Sequence, residues 1–249
     1  MSPFRNIEVL GMRFRDIPLD KVADSLINDA SNCHERRVYF VNAHCINIAS
    51  ENKNYASILK NAPFVYADGL GMSLAARIMG TRLEHNINGT DLFPLLCEKA
   101  AAAGIPMAFF GAAPGHASVC AERMEKAYPG LHVVWSHHGY VEEETEQELI
   151  DQINRSGARI LLIAKGVPKQ ELWIDRNASR LNVPVLMGVG ALFDFYSGAV
   201  PRAPAVWRKM RMEWLFRLLM EPRRLFRRYI VGNPEFIQRA IKARFNARR

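Results

Sequence analysis

Polar residues stand directly after several short apolar runs of the sequence, where they could carry out acid–base or anion-binding chemistry. Asn42 follows "RVYFV", Asp68 follows "FVYA" and Lys165 follows "ILLIA". A carboxylate can remove a proton from a reacting hydroxyl, and amide or ammonium groups can hold an oxygen-rich ligand. Taken singly, each residue could only cap a helix or form a turn, so the hypothesis depends on their being brought together.

Glycines accompany these polar residues and indicate an anion site. Gly111 lies in "FFGAAPGHA", Gly166 in "AKGVPKQE" and Gly190 in "GVGALFD". Glycine lets backbone N–H groups approach an anion closely, especially where a helix begins. Neither a Walker A loop nor GxGxxG is present, so the sequence does not favour ATP or NAD as a ligand. With no DxD pair, we expect neither metal nor cofactor, and arginines would neutralise a diphosphate instead.

The arginines for that task are concentrated near the C-terminus, in "RKMRMEWLFRLLMEPRRLFRRYIVGN" (208–233). From Arg202 onward there are 14 Lys and Arg against 3 Asp and Glu, whereas the rest of the chain is slightly acidic. Arg217, Arg224 and Arg228 share one helical face, with Arg227 beside them. An apolar stripe accompanies them, formed by Trp207, Met210, Trp214, Leu218, Leu225 and Tyr229. The asymmetry indicates a polyanionic partner: nucleic acid, anionic lipid or a diphosphate.

These residues need strands and helices to position them. The strand candidates are "NIEVLGMRF", "RVYFVN", "PFVYAD", "IPMAFFG", "LHVVWS", "ARILLIA" and "VPVLMGV". Amphipathic segments separate them, a pattern that predicts an α/β fold over residues 1–200, with a largely parallel, Rossmann-like sheet covered by helices on both faces. A basic, amphipathic, all-helical appendage over residues 201–249 should follow, split at Pro222. The carboxyl ends of parallel strands meet at one edge, where ligands bind.

Composition limits the classes of protein that fit. The chain has 249 residues, of which 49% are hydrophobic and 23% charged, as in ordinary globular proteins. No apolar run approaches the roughly 20 residues that span a bilayer, and we find no signal peptide. We therefore expect a cytoplasmic protein whose four scattered cysteines are reduced.

Five segments, in this order, carry a resemblance to a known family: "YADGLGM", "GTDLFPLL", "KGVPKQELWI", "GVGALFDFYSGAVPRAP" and "MEWLFRLLMEPRRLFRRY". The chain resembles the WecG/TagA/CpsF family of bacterial glycosyltransferases from its first strand to Tyr229. The resemblance implies inverting, metal-independent transfer of a sugar from a UDP-sugar to a sugar on a polyprenyl (undecaprenyl) diphosphate. It also implies a peripheral position on the inner face of the cytoplasmic membrane, on anionic lipid, in cell-surface polysaccharide or exopolysaccharide synthesis.

The resemblance also implies roles for individual residues. Asp68 matches a proposed general base, and the arginines of the appendage match groups that stabilise the departing diphosphate. The residues that we expect to be catalytic are Asp68, Gln170, Arg217, Arg224 and Arg227. Those that we expect to bind substrate are Asn42, Asn86, Gly89, Asp91, Gly111, Gly166, Lys169, Glu171, Gly190 and Asp194.

Two positions depart from the family pattern. Phe40 stands where a threonine is frequent, and Asn86 stands where an arginine is frequent. Both changes remove polar contacts expected near a sugar. We therefore expect a neutral hexose such as glucose as the transferred sugar. The alternative is an N-acetylmannosamine or N-acetylmannosaminuronate transferase of the teichoic acid or common-antigen type.

Two further alternatives concern the basic appendage. It could serve a binding module without catalysis, with nucleic acid or a membrane as its partner. Because its spacing is amphipathic and no nucleic-acid-binding motif is present, we expect membrane contact and no nucleic acid. The apolar stripe could instead pair subunits in a homo-oligomer.

Overall fold

The structure is a computed structural model of the chain, and it describes residues 5–204, 206–207, 210 and 212–246. The strands are β1 (Arg5–Val9), β2 (Met12–Asp16), β3 (Arg36–Val41), β4 (Phe64–Ala67), β5 (Met107–Gly111), β6 (Val133–His137), β7 (Ile160–Ala164) and β8 (Val185–Gly188). Strands β3 to β8 form a six-stranded sheet in the order β4-β3-β8-β7-β5-β6, and every pairing in it is parallel. The predicted parallel α/β sheet is therefore confirmed.

Helices cover both faces of this sheet. Before the C-terminal segment they are α1 (Leu19–Ser31), α2 (Ala43–Glu51), α3 (Lys53–Asn61), α4 (Leu70–Ile78), α5 (Gly89–Ala103), α6 (His116–Ala127), α7 (Glu146–Arg155), α8 (Lys169–Asn177) and α9 (Leu192–Tyr196), with 3₁₀ turns at Glu143–Thr145 and Ala178–Arg180. Alternate strand residues point to opposite faces: Tyr39 and Val41 pack in one layer, and Val38 and Phe40 in the other. Helices α2, α3, α4, α7 and α8 cover the first face, and α1, α5, α6 and α9 cover the second.

The first strand candidate was wrong in its length and partner. "NIEVLGMRF" does not form one strand of the sheet; it forms most of an antiparallel hairpin of β1 and β2. Leu10 and Gly11 connect the two strands, and both have positive φ, at 54° and 71°. A two-residue turn with positive φ at both positions matches the twist of a hairpin. The apolar pattern runs through this turn, which is why the sequence reads as one strand.

The C-terminal segment is helical, as predicted, but not continuous. It contains α10 (Glu213–Met220), α11 (Pro222–Phe226), a π-helical turn (Arg227–Val231) and α12 (Gly232–Asn246). Pro222 opens α11, where its missing N–H costs no helical hydrogen bond, and the helix is split there as expected. Arg208, Lys209 and Arg211, which add to the predicted charge of the appendage, lie outside the described residues.

Helix α12 is anchored on the α/β layers. Asn47 of α2 donates a hydrogen bond from Nδ2 to the carbonyl oxygen of Gly232, at 2.7 Å. Phe236 and Ala240 are fully buried and belong to the same apolar core as α2, α3 and α4. The appendage therefore shares its core with the sheet, and the division at residue 200 stays a prediction about the chain's organisation.

Candidate functional site

Asn42 and Asp68 are brought together because they follow neighbouring strands, β3 and β4. The backbone N–H of Asp68 donates to the carbonyl oxygen of Val41 at 2.9 Å, which extends the ladder by one residue. Asn42 caps α2: its Oδ1 accepts from the N–H groups of His44 at 3.1 Å and Cys45 at 3.2 Å. This fixes the amide, whose Nδ2 donates a hydrogen bond to the carboxyl group of Asp68.

Asp68 is a partly buried carboxyl group tuned towards base chemistry. Burial, together with the nearby carboxylate of Glu213, raises its pKa to about 6. The hydrogen bond from Asn42 and the charge of Arg228 oppose this rise. A carboxylate with a raised pKa holds a proton more strongly than a free one and is still ionised at neutral pH. Such a group can accept a proton from a hydroxyl.

Both side chains open into a cavity of about 360 Å³ between the sheet edge and the C-terminal helices. Its polar wall includes Asn42, His44, Asp68, Asn86, Asn88, Thr90, Asp91 and Glu213, together with the cations Arg217 and Arg228. Its apolar wall includes Leu70, Leu74, Trp214, Tyr229, Phe236 and Ile237. The volume is in the range of small-molecule sites, and the lining suits a ligand with both a polar and an apolar part.

Two arginines of the C-terminal segment reach this cavity. Arg217 lies over the ring of Phe195, with its Cζ atom 5.2 Å from the centroid. Arg228 lies close enough to His44 that its charge, after burial, helps to lower the pKa of that imidazole to about 4. His44 is therefore neutral at pH 7, and the positive charge in this part of the cavity comes from arginine.

The other two predicted arginines lie differently. Arg224 is exposed and bonds to Glu221, which raises the pKa of its guanidinium group, and nearby Asp194 raises it further. Arg227 is also exposed, and neither residue lines the cavity. Arg228, which was predicted to share a face with Arg217 and Arg224 and was not among the residues expected to be catalytic, lines the cavity. A role for Arg224 and Arg227 stays a prediction.

At the ends of β7 and β8 the predicted residues are packed against each other. Gln170 is 2% exposed: its Nε2 donates to Oε1 of Glu171 at 2.8 Å, and its Oε1 accepts from the N–H of Gly190 at 2.9 Å. A Cβ atom at Gly188 would lie 2.8 Å from Nε2 of Gln170, so a larger residue there would displace this side chain. Burial raises the pKa of Glu171 to about 7, against the hydrogen bond from Gln170. These two side chains lie outside the cavity and hold the loops around it.

The remaining predicted glycines shape the same sheet edge. Gly111 ends β5 with a φ of 131°, and a Cβ there would clash with the carbonyl oxygen of Ala164. Gly166 has a φ of 73° between β7 and α8, with space around it, and Lys169 beside it is exposed. Their predicted contact with a substrate is a proposal.

Asp194 and the start of α6 form a separate polar contact. Oδ1 of Asp194 lies 2.7 Å from Nδ1 of His116, the first residue of α6. The pairing joins the N-terminal end of α6 to α9, near Arg224. This is where the resemblance expects the nucleotide.

The segment before α5 and the first turn of that helix form a further wall of the cavity. Asn86 accepts a hydrogen bond from the backbone N–H of Gly69, and Asp91 pairs with Arg202. Gly89 begins α5, and a Cβ there would meet the ring of Phe40 at 3.3 Å. Asn86 and Asp91 line the cavity, whereas Gly89 supports it from behind.

Phe40, one of the two positions used to predict the donor sugar, does not line the cavity. Phe40 is 8% exposed and packs against Tyr66, with ring centroids 6.1 Å apart. It faces the core, so an apolar side chain here removes no polar contact from the cavity. Asn86 does line the cavity, but its oxygen is engaged by Gly69.

Several residues that line the cavity were not among the predicted site residues: His44, Asn88, Thr90, Glu213, Trp214, Tyr229 and Asn233. Signals existed for two of them. His44 stands in the same strand-end motif as Asn42, and Asn88 caps α5 by accepting from the N–H of Asp91. Glu213 and Tyr229 belong to a segment whose position against the sheet depends on tertiary packing.

Within the described residues, no three His, Cys, Asp or Glu side chains are grouped as a metal site would need, and no helix is long and apolar enough to cross a membrane.

Comparison with known proteins bears on this geometry. The model of the glycosyl transferase WecG/TagA/CpsF family matches residues 7–249. The N-acetylglucosaminyldiphosphoundecaprenol N-acetyl-beta-D-mannosaminyltransferase of Bacillus spizizenii (strain W23) is 31% identical over 194 residues. The matched part covers 78% of this chain and 74% of that protein.

Proposed function

The chain belongs to the WecG/TagA/CpsF family of glycosyl transferases, and we propose that it moves N-acetylmannosamine from a UDP carrier to N-acetylglucosamine on undecaprenyl diphosphate. The name of the Bacillus spizizenii relative supports both sugars and the lipid. That relative does not support UDP-glucose, the donor expected from the sequence, and the N-acetylmannosamine alternative fits it better. The product would be a lipid-linked intermediate of polysaccharide synthesis.

The observation that carries this proposal is Asp68 in a cavity with arginines on its opposite wall. The hydroxyl oxygen of the acceptor sugar would attack C1 of the donor sugar while Asp68 takes the hydroxyl proton. The bond between C1 and the UDP oxygen breaks, and UDP leaves with the electron pair. Inversion follows because the attacking oxygen and the departing UDP lie on opposite sides of C1.

The sheet order suggests where each substrate binds. The glycine-rich ends of β5, β7 and β8, with Gln170 holding Gly190, suit the diphosphate of the donor. Arg217, Arg224 and Arg227 would neutralise the charge that develops on UDP. The open cavity beside β3 and β4 suits the acceptor. Asp68 lies on the acceptor side, where a general base has to be.

The C-terminal helices also offer a surface for lipid. Leu219 and Met220 are 65% and 51% exposed, and Phe226 is 55% exposed beside exposed arginines. Apolar side chains flanked by cations are typical of a membrane-surface helix. We propose peripheral binding at the cytoplasmic face of the membrane. The competing use of this surface is pairing between copies of the chain.

Phe226→Asn tests the membrane proposal. It should weaken co-sedimentation with phosphatidylglycerol vesicles and leave the elution volume in gel filtration unchanged. A change in elution volume without loss of vesicle binding would favour subunit pairing instead.

The reaction itself is tested by UDP release from purified protein. UDP-N-acetylmannosamine, its uronic acid and UDP-glucose would each be supplied with N-acetylglucosamine on a short-chain lipid diphosphate. We expect acceptor-dependent release with UDP-N-acetylmannosamine. Release only with UDP-glucose would restore the donor expected from the sequence. If none of the three UDP-sugars gave release, the proposal would be overturned.

A further inference from the structure

Two leucines of α4 stay exposed beside the cavity. Leu70 is 46% exposed and Leu74 is 44% exposed, and both line the cavity. They are one helical turn apart, so they lie on the same face of α4, about 6 Å apart along its axis. Single exposed leucines are common at protein surfaces. Two on the wall of one cavity extend its apolar lining to the exposed surface of α4.

Helix α12 lies alongside α4. Phe236 approaches Gly71 near the start of α4: a Cβ at Gly71 would lie 3.6 Å from its ring. Eight residues further along, Nη1 of Arg244 donates to the carbonyl oxygen of Met79 at 3.1 Å, just beyond the end of α4. The two helices therefore run side by side in the same direction.

The facing side of α12 is also apolar. Ile237 lines the cavity. Ile241 is one helical turn further on, which puts it on the same side of α12 as Ile237, and it is 41% exposed. The surface between the two helices is called the α4–α12 groove. It consists of Leu70, Leu74, Ile237 and Ile241.

Folding does not account for the groove. Helix α4 buries Met72, Ala75 and Ala76 in the core, and α12 buries Phe236 and Ala240. These residues hold the two helices to the sheet. The leucines and isoleucines of the groove lie on other faces and add an apolar strip that continues outward from the cavity.

The lining changes in character from the sheet edge outward. Asn42 and Asp68 offer hydrogen bonds at the sheet edge, Arg228 adds a positive charge near both Asp68 and His44, and the leucines of the groove line the same cavity. A lipid-linked sugar has the same three parts, a polar sugar, a diphosphate and an apolar chain. We infer that the α4–α12 groove receives the first isoprenoid units of the acceptor lipid, with its diphosphate at Arg228. This inference rests on the proposed function.

The groove is better suited to bind a single prenyl chain than to lie against the surface of a bilayer. The groove opens from a cavity that also contains a cation, so an occupant anchored there by a diphosphate leaves along it. The exposed side chains proposed to meet the membrane, Leu219 and Phe226, lie on α10 and α11 and do not line the cavity.

Isothermal titration calorimetry on the full chain tests the inference without any donor. The probes are farnesyl diphosphate, kept below its micellar concentration, and inorganic diphosphate. We expect farnesyl diphosphate to bind about tenfold more tightly or better, because its chain buries apolar surface. Leu74→Asn and Ile241→Asn, one on each wall, should each remove most of that gain and leave diphosphate binding unchanged. Leu219→Asn is the matched control and should keep the full gain.

Equal affinity of the wild type for the two probes would overturn the inference, and so would the same loss in Leu219→Asn as in Leu74→Asn. Urea midpoints would show whether a variant is folded, and the two walls provide independent variants. The proposed transfer is judged separately by UDP release. If no UDP is released but farnesyl diphosphate still binds more tightly than diphosphate, the proposed transfer is wrong and the groove assignment stands. If UDP is released normally but farnesyl diphosphate binds no more tightly, the groove assignment alone is wrong.

Discussion

The carboxyl ends of β3 and β4 and those of β7 and β8 lie on one edge of the same sheet, and their polar residues are used in opposite ways. Beside β3 and β4, Asn42 and Asp68 face an open cavity. Beside β7 and β8, Gln170 and Glu171 are 2% and 1% exposed and bond to each other. The first pair is available to a substrate, whereas the second pair stabilises loops.

We propose that this difference separates a catalytic residue, Asp68, from a positioning residue, Gln170, which the sequence had led us to expect to be catalytic. A group that takes part in the reaction has to keep hydrogen-bonding capacity for the substrate, and Asp68 faces the cavity. A group that holds the scaffold satisfies its partners within the protein, as Gln170 does with Gly190. Substitutions on the open side should therefore lower activity, and substitutions on the closed side should first lower stability.

The largest expected effect is that of Asp68→Asn. We expect turnover to fall by about 10²- to 10⁴-fold, because a general base acts in the transition state. UDP affinity should change less than about twofold, since the base contributes little to ground-state binding. UDP release and calorimetry measure the two quantities. Asp175→Asn, an exposed carboxylate on α8, is the control; a wild-type rate in Asp68→Asn would remove the base from the site.

Arg217→Ala tests the open side from its opposite wall. We expect a fall in turnover of about 10²-fold, the size typical of losing one group that stabilises a developing negative charge. Arg223→Ala removes a neighbouring exposed arginine that does not line the cavity and should have little effect. Equal losses in the two variants would mean that general charge, rather than contact with the cavity, is what matters.

Gln170→Ala tests the closed side. It leaves the N–H of Gly190 and the carboxyl of Glu171 without their partner, which should lower the free energy of unfolding by about 1–3 kcal/mol. Urea unfolding gives this value, and Gln238→Ala on the exposed face of α12 should stay within about 0.5 kcal/mol of the wild type. Lost activity at unchanged stability would instead place Gln170 in contact with substrate.

The smallest expected effect is a pH dependence of stability. The folded-state pKa of Glu171 is raised to about 7, so its contribution to stability is present below its unfolded pKa and is lost as pH rises through about 7. Glu171→Gln keeps the acceptor for Gln170 and cannot ionise. At about pH 8 the variant should be more stable than the wild type, whereas near pH 4 the two proteins should not differ. Parallel stability curves for the two proteins would contradict this.

Much of the architecture could be predicted from the sequence because buried parallel strands have a strong local signal. "ILLIA" and "VPVLMG" are short apolar runs that contain the β-branched residues Ile and Val, and they include β7 and β8. The hairpin of β1 and β2 was missed because Leu10 continues the apolar pattern through a turn that only backbone dihedral angles reveal.

The site was predicted less completely, for a physical reason. Strand ends such as Asn42 and Asp68 converge by topology alone, so their position follows from the sheet. Which arginine faces the cavity depends on how α10, α11 and the π-helical turn are rotated against it. That turn shifts the helical phase, which contributes to placing Arg228, rather than Arg224 or Arg227, on the lining.

The anchoring of α12 on the sheet has a consequence for how the protein folds during its synthesis. Asp68 is translated early, yet the wall that faces it contains Arg228 and Tyr229, and α12 holds that wall in place through Gly232 and Phe236. A nascent chain can assemble its sheet on the ribosome while the cavity still lacks one side. We therefore expect the protein to become active only after α12 has been synthesised and has docked on the sheet.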